Sequence, residues 1–169
     1  FEAAMDRLIA NEQPRVKAKI VKCASADELV SKSEVVVSAT PISHTPAPFV
    51  KKESVHKGQT IVCLDCHSVY EDAVYKMADR YYMDSIEEHE LLVGYGYYPW
   101  GLPEITGETG ALAAGLVPGR SSKDDILIFN NVGMASEDMM CARIIFAKAL
   151  EKGLGIKLPL WDSTKGIIK

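Results

Sequence analysis

The sequence predicts an α/β fold built on a doubly wound parallel sheet, and three observations carry that reading. The runs Glu34 to Ser38 (EVVVS), Thr60 to Leu64 (TIVCL) and Ile126 to Phe129 (ILIF) are short, apolar and rich in β-branched residues, the pattern of strands buried on both faces. Each run ends in a small or polar turn: Ala39-Thr40-Pro41, Asp65-Cys66-His67 and Asn130-Asn131-Val132-Gly133. Segments with helical spacing or capping signals lie between them, and strands that alternate with helices argue for parallel pairing.

Taken in order, Phe1 to Asn11 reads as an amphipathic helix with Ala4, Leu8 and Ile9 toward a core, ended by Pro14. Lys19 to Cys23 (KIVKC) reads as a short strand. Ser25, with Glu28 three positions on, forms a capping box that opens the next helix. EVVVS follows, and the proline-containing stretch after Pro41 reads as a loop with a short helical turn before TIVCL. Glu71 to Asp79 reads as a helix, Tyr81 to Met83 as a brief strand, and Ile86 to Leu92 as helical or irregular.

Gly94 to Gly110 mixes glycine, proline, tyrosine and tryptophan, too irregular for either periodicity and too aromatic for plain disorder. Gly110 to Gly115 reads as a short helix closed by a VPGR turn. After the last strand, Gly133 supplies a turn at positive φ. The helix that follows carries Glu137 and Asp138 in its first turn, Lys148 and Lys152 near its end, and Gly153 as its stop. Ala135, Met139, Ala142, Phe146, Ala149 and Leu150 repeat at helical spacing and form a face suited to covering a sheet.

A chain of 169 residues with 47% hydrophobic content can bury a core as one domain. Its net charge of −4, with basic residues scattered along the chain, gives no electrostatic reason to expect nucleic acid. No apolar run approaches the roughly 18 residues of a membrane helix, so a cytoplasmic protein is expected. Four cysteines are few for a disulfide framework at this length. The chain starts without Met, inside a helical pattern, and reads as part of something longer.

In a doubly wound sheet, ligands sit beyond the carboxyl ends of the strands. Small residues at Ser38-Ala39-Thr40 let a flat ring or ribose approach the backbone, though the same residues also fit an ordinary strand-to-loop turn. Asp65 is the sharper candidate, as the only carboxylate directly after a buried apolar strand. Beside apolar walls, its pKa can rise into a range useful for accepting and returning protons. A capping or turn aspartate is the structural alternative.

Cys63-Leu64-Asp65-Cys66-His67 also spells C-x-x-C-H, but Cys63 lies inside an apolar strand and no second axial ligand can be named, so haem attachment is rejected. A zinc site lacks a second paired spacing, and no metal is expected. The phosphate-binding G-x-G-x-x-G turn is absent.

EVVVSATP, TIVCLD, GALAAGLVPGR and ILIFNNVGMASEDMMCARIIFAKALEKGLG resemble, in order and spacing, the second half of the ornithine cyclodeaminase/μ-crystallin family. There, a run like ADVVVTATPS precedes a strand ending in a catalytic aspartate, a GEVLAGRxPGR-like helix and a TVFxSVGxAxED turn. The resemblance implies a Rossmann-like sheet that is incomplete, its first βαβ unit missing. Residues 1–130 would form the partial dinucleotide-binding domain, and 131–169 a C-terminal helix and tail returning toward a missing N-terminal substrate domain that also makes a homodimer.

The resemblance further implies NAD, with NADP not excluded, and a small amino-acid substrate. Asp65 would be the acid/base for the substrate's amino or imino nitrogen. Thr40, the backbone of Ile61, Val62, Cys63 and Leu64, Ser68 and Asn131 would face the cofactor, and Val132 the substrate. Asn131 stands where the family's SVG turn has serine, and HSVYED needs a one-residue shift against the family pattern. The implied activity is ornithine cyclodeamination, with alanine dehydrogenase or ketimine reductase chemistry as the alternative within the family. A μ-crystallin-like NAD(P)H or small-ligand binder is the alternative of another class.

Overall fold

The computed structural model describes residues 2–158. It consists of two compact units, Phe1–Val132 and Gly133–Lys169. The first unit carries β1 (Val35–Ser38), β2 (Thr60–Cys63), β3 (Arg80–Met83), β4 (Gly107–Glu108) and β5 (Leu127–Asn130). They form one sheet in the order β1-β2-β5-β3-β4, and every pairing in it is parallel. The helices of this unit are α1 (Glu2–Glu12), α2 (Ala26–Lys32), α3 (Asp72–Tyr75), α4 (Ile86–Gly94) and α5 (Thr109–Ala113), and the second unit holds α6 (Ala135–Glu151). The α/β parallel sheet expected from the three apolar runs is therefore present.

The core gathers Val36, Ile61, Cys63, Tyr81, Met83 and Ile128 from the strands with Val30 from α2, and Val74 and Tyr75 from α3. The capping box at α2 forms with a one-residue offset. Ser25 Oγ accepts from Glu28 N at 3.1 Å, while Glu28 Oε2 accepts from Ala24 N at 2.7 Å rather than from Ser25.

Several expectations fail for identifiable reasons. KIVKC forms no strand, because a strand exists only where a neighbour completes its ladder, and no described segment pairs with it. α1 buries none of its residues, and Leu8 stays 51% exposed. β1 is buried on one face only: Val36 and Ser38 point inward, whereas Val35 and Val37 are 61% and 60% exposed at the sheet's edge. The segment from Glu71 gives a single helical turn, α3, after which the chain turns back so that Asp79 N donates to Ile126 O at the start of the next ladder.

In the second unit, α6 ends as its sequence indicates. Gly153 takes φ +64°, Gly153 N donates to Leu150 O, and Leu154 N donates to Ala149 O, the paired bonds of a Schellman cap. α6 buries none of its residues, so Met139, Phe146 and Leu150 remain exposed.

Entry into β2 is fixed by two adjacent residues. Gln59 is fully buried, and its Nε2 donates to Val30 O at 2.7 Å and to Ser33 O at 2.8 Å, closing the end of α2 against the sheet. Gly58 sits at φ +81°, and a Cβ there would lie 2.7 Å from the Lys123 carbonyl oxygen. Gln59→Ala removes two hydrogen bonds, one each to Val30 O and Ser33 O, and empties a fully buried site, and should lower unfolding free energy by about 2 kcal/mol in urea titrations. Gly58→Ala combines an unfavourable backbone conformation with a main-chain clash and should cost about 2 kcal/mol by the same measurement.

Candidate functional site

Parallel register brings the strand ends into one row. Ser38 pairs with Cys63, Cys63 with Asn130, and Asn130 with Met83. The residues just beyond that row therefore emerge side by side at the carboxyl edge of the sheet. Thr40, Asp65, Asn131 and Asp84 are four of them.

Asp65 is fully buried and ties two strand ends together. Its Oδ1 accepts from Ser38 Oγ at 2.9 Å, and its Oδ2 accepts from both Thr40 N and Thr40 Oγ1 at 3.1 Å. An ionised carboxylate only accepts hydrogen bonds, and these three partners all donate. Thr40 is an exposed residue, so Oδ2 is tied to a side chain at the surface while Asp65 itself is buried.

Of the other sequence candidates, Ile61 and Cys63 turn fully buried side chains into the core, and Val62 is half-buried. Leu64 is exposed, and its N–H donates to Ser38 O at 2.8 Å as the β1–β2 ladder ends. Ser68 is nearly buried and accepts from Ser43 N at 3.3 Å, linking the loops that follow the two strands. Asn131 and Val132 are half-buried just beyond β5, with Asn131 N donating to Cys63 O at 2.9 Å. Thr40 and Asp65 are thus in direct contact, while Ser68 belongs to the neighbouring loop junction.

Three residues of this edge escaped the sequence reading. Asn130 is fully buried and its Nδ2 donates to Cys66 O at 2.9 Å and Tyr81 Oη at 2.8 Å. Thr109 Oγ1 donates to Met83 O at 3.1 Å and lies 3.2 Å from Asn131 Oδ1. Asp84 follows Met83 directly, and its Oδ2 accepts from Val132 N at 2.7 Å. The expectation that Asp65 alone follows a buried apolar strand is thereby corrected: Tyr81-Tyr82-Met83 is fully buried as well, and Asp84 carries the same signature.

The turn after β2 is under backbone strain, with Cys66 at φ +61°. It is held by Cys66 O, which accepts from Asn130 Nδ2 and from Tyr75 Oη at 3.4 Å. Burial pushes the Cys66 thiol up and the Cys63 thiol far up, which keeps both protonated near neutral pH and makes them poor nucleophiles and poor metal ligands. His67 is fully buried beneath the rings of Tyr97, Tyr98 and Trp100. Burial first, and the neighbouring His44 second, hold its imidazole below the usual histidine range. Among the described residues no three His, Cys, Asp or Glu side chains gather as a metal cage, and no helix is long and apolar enough to cross a membrane.

Beside this edge, a cleft of about 230 Å3 opens between α2 and the end of β1. Leu29, Val36, Phe49 and Val50 give it apolar walls, and Ser38 and Thr40 give it a polar rim. A flat apolar group with a hydrogen-bonding edge matches that lining.

The pattern of the ornithine cyclodeaminase/mu-crystallin family matches residues 2–153. N-((2S)-2-amino-2-carboxyethyl)-L-glutamate dehydrogenase of Staphylococcus aureus is 28% identical over 95% of this chain and 48% of its own. An archaeal alanine dehydrogenase dimer solved with bound NAD is 25% identical, with a TM-score of 0.71 over 95% of this chain and 50% of that one. The fold also matches Delta(1)-pyrroline-2-carboxylate reductase of Thermococcus litoralis, solved with NADH and L-proline, at a TM-score of 0.74 and 23% identity, over 90% of this chain and 49% of that one. The chain thus spans about half the length of the relatives it matches. Since the family pattern runs from α1 through the whole parallel sheet to the end of α6, the chain belongs to the ornithine cyclodeaminase/mu-crystallin family.

Proposed function

We propose that this chain supplies the nicotinamide end of the site of an NAD(P)-dependent enzyme acting on the carbon–nitrogen bond of a small amino acid. The observation that carries the reading is Asp65, locked across the ends of β1 and β2 with the hydroxyl of the exposed residue Thr40 on one oxygen. Support comes from the relatives, named as dehydrogenases and a reductase of nitrogen-bearing acids, chemistry that interconverts C–N and C=N by moving hydride between that carbon and a nicotinamide. Ornithine cyclodeamination, the finer reading, adds attack of the side-chain amine on the imine carbon and loss of ammonia. A cytoplasmic homodimer belongs to the same proposal, as does a division of the chain near residue 130.

The residues present fit the nicotinamide end of a dinucleotide. Exposed Ala39 and Thr40 leave the β1 end open to close approach, and the adjoining cleft has apolar walls with a polar rim. Thr40, the backbone of Ile61 to Leu64, Ser68 and Asn131 would hold the cofactor, with Val132 toward the substrate. When bound, the nicotinamide supplies the hydride acceptor or donor.

This chain's own part is to move a proton. Because Asp65 is buried, the substrate nitrogen reaches it through Thr40: the nitrogen's proton passes to Thr40 Oγ1 as the hydroxyl proton passes to Asp65 Oδ2. The reverse transfer returns it. Ser38 and the Thr40 amide hold the carboxylate in place throughout.

In the complete protein, Asp65→Asn should abolish turnover of the amino-acid substrate, a loss of at least roughly a hundredfold in kcat, while NADH affinity measured by fluorescence stays nearly unchanged. Thr40→Val should reproduce the loss of turnover and, because Thr40 would also hold the cofactor, weaken NADH binding as well. Retained turnover in Asp65→Asn would remove the proton-transfer role from this carboxylate.

A further inference from the structure

Where the chain leaves β5, the ladder to β2 ends with Asn131 N donating to Cys63 O at 2.9 Å. The next amide, Val132 N, lies beyond the strand row. It is taken instead by a carboxylate. Asp84 Oδ2 accepts from Val132 N at 2.7 Å, and Oδ1 accepts from Ser85 N at 3.0 Å, fixing the carboxylate to its own backbone at the start of α4. The Asp84 side chain is fully buried, with the equally buried His89 Nδ1 at 3.6 Å from Oδ1.

The parallel register explains the geometry. Met83 is the partner of Asn130, so the residue after each meets across the strand gap, and a one-carbon stem puts the carboxylate against the Val132 amide. On the other side, Thr109 Oγ1 bridges Met83 O and Asn131 Oδ1. The Asn131–Val132 segment is therefore held through its main chain by Asp84, with the Thr109 hydroxyl beside its side chain.

We propose that Asp84 is a positioning residue for hydride transfer: through Val132 N it sets where Asn131 and Val132 stand against the nicotinamide and the substrate. The role rests on the functional reading above. Asp84 acts through the main chain of Val132 and touches neither reactant. A carboxylate suits the task, because a charged acceptor shortens and strengthens its bond to a backbone amide, and because the same group must hold Ser85 N at once. An asparagine offers one acceptor oxygen and cannot satisfy both amides.

The experiment uses Asp84→Asn and Asp84→Glu in the complete protein, with NADH as the probe. Amide hydrogen exchange at Val132 should accelerate at least about tenfold in Asp84→Asn, while that at Asn131, still bonded to Cys63 O, stays as in the unsubstituted protein. With an amino-acid substrate, kcat should fall roughly ten- to a hundredfold at nearly constant KM. The isotope effect with NADH deuterated at the transferred position should rise, because the hydride step becomes limiting.

Asp84→Glu separates positioning from charge. It keeps a carboxylate beside His89, but its longer stem misplaces the amide and should leave kcat low. Recovery of kcat in Asp84→Glu with exchange at Val132 still accelerated would overturn the proposal, as would unchanged exchange at Val132 in Asp84→Asn. If the unsubstituted protein binds NADH and turns over while Asp84→Asn matches its kcat, this role alone falls. If the unsubstituted protein does not bind NADH, the functional reading falls and this role with it.

Discussion

The parallel register across four strands is the constraint on which the rest of this structure depends. Ser38, Cys63, Asn130 and Met83 stand in one transverse row, so four separate chain exits arrive at one edge. In a parallel sheet every strand runs out at the same side, and the last amides and carbonyls there lack a continuing neighbour. Side chains must complete what the ladder leaves open. Asp65 joins the exits of β1 and β2, Asn130 joins the turn after β2 to β3, and Thr109 and Asp84 join β3 to the exit of β5.

The strain at Cys66 is a product of the same requirement. Its left-handed backbone disfavours any residue with a Cβ, by about 1 kcal/mol. Two hydrogen bonds to its carbonyl, from Asn130 Nδ2 and Tyr75 Oη, come from side chains that are themselves buried and fixed. Direct hydrogen bonds of this kind contribute about 1 kcal/mol each, enough to hold the turn. The result is that Asp65, one residue earlier, is carried back toward Ser38 and Thr40, while His67, one residue later, is sent beneath the aromatic segment that reads as irregular in sequence.

The sheet itself was readable from sequence because its signal is local: EVVVS, TIVCL and ILIF are each a contiguous apolar run closed by a turn. Burial on both faces was readable only in part. It depends on where a strand falls in the order, and β1 lies at the edge. KIVKC shows the same limit, since composition can favour a strand but only a partner makes one. At the candidate site, Thr40, Asp65 and Asn131 are legible as candidates because each follows a recognisable run. Asp84 closes one too, but Tyr81-Tyr82-Met83 is aromatic rather than β-branched and its flanks, Arg80 and Asp84, are charged, so its apolar character was underweighted. Thr109 offers no sequence signal, because its partners at 83 and 131 are distant along the chain.

A carboxylate at a strand end is ambiguous in sequence, since the groups that close a sheet and those that meet a ligand occupy the same edge. Solvent reach separates the two here. Both oxygens of Asp84 accept from main-chain amides, at Ser85 and Val132, and His89 Nδ1, 3.6 Å from Oδ1, is itself buried. Asp65 differs at one atom: its Oδ2 shares a proton with the exposed Thr40 hydroxyl, a group that both donates and accepts. The hydroxyl on Oδ2 is what the proposed proton transfer at Asp65 requires, whereas the amides on Asp84 suit the proposed positioning.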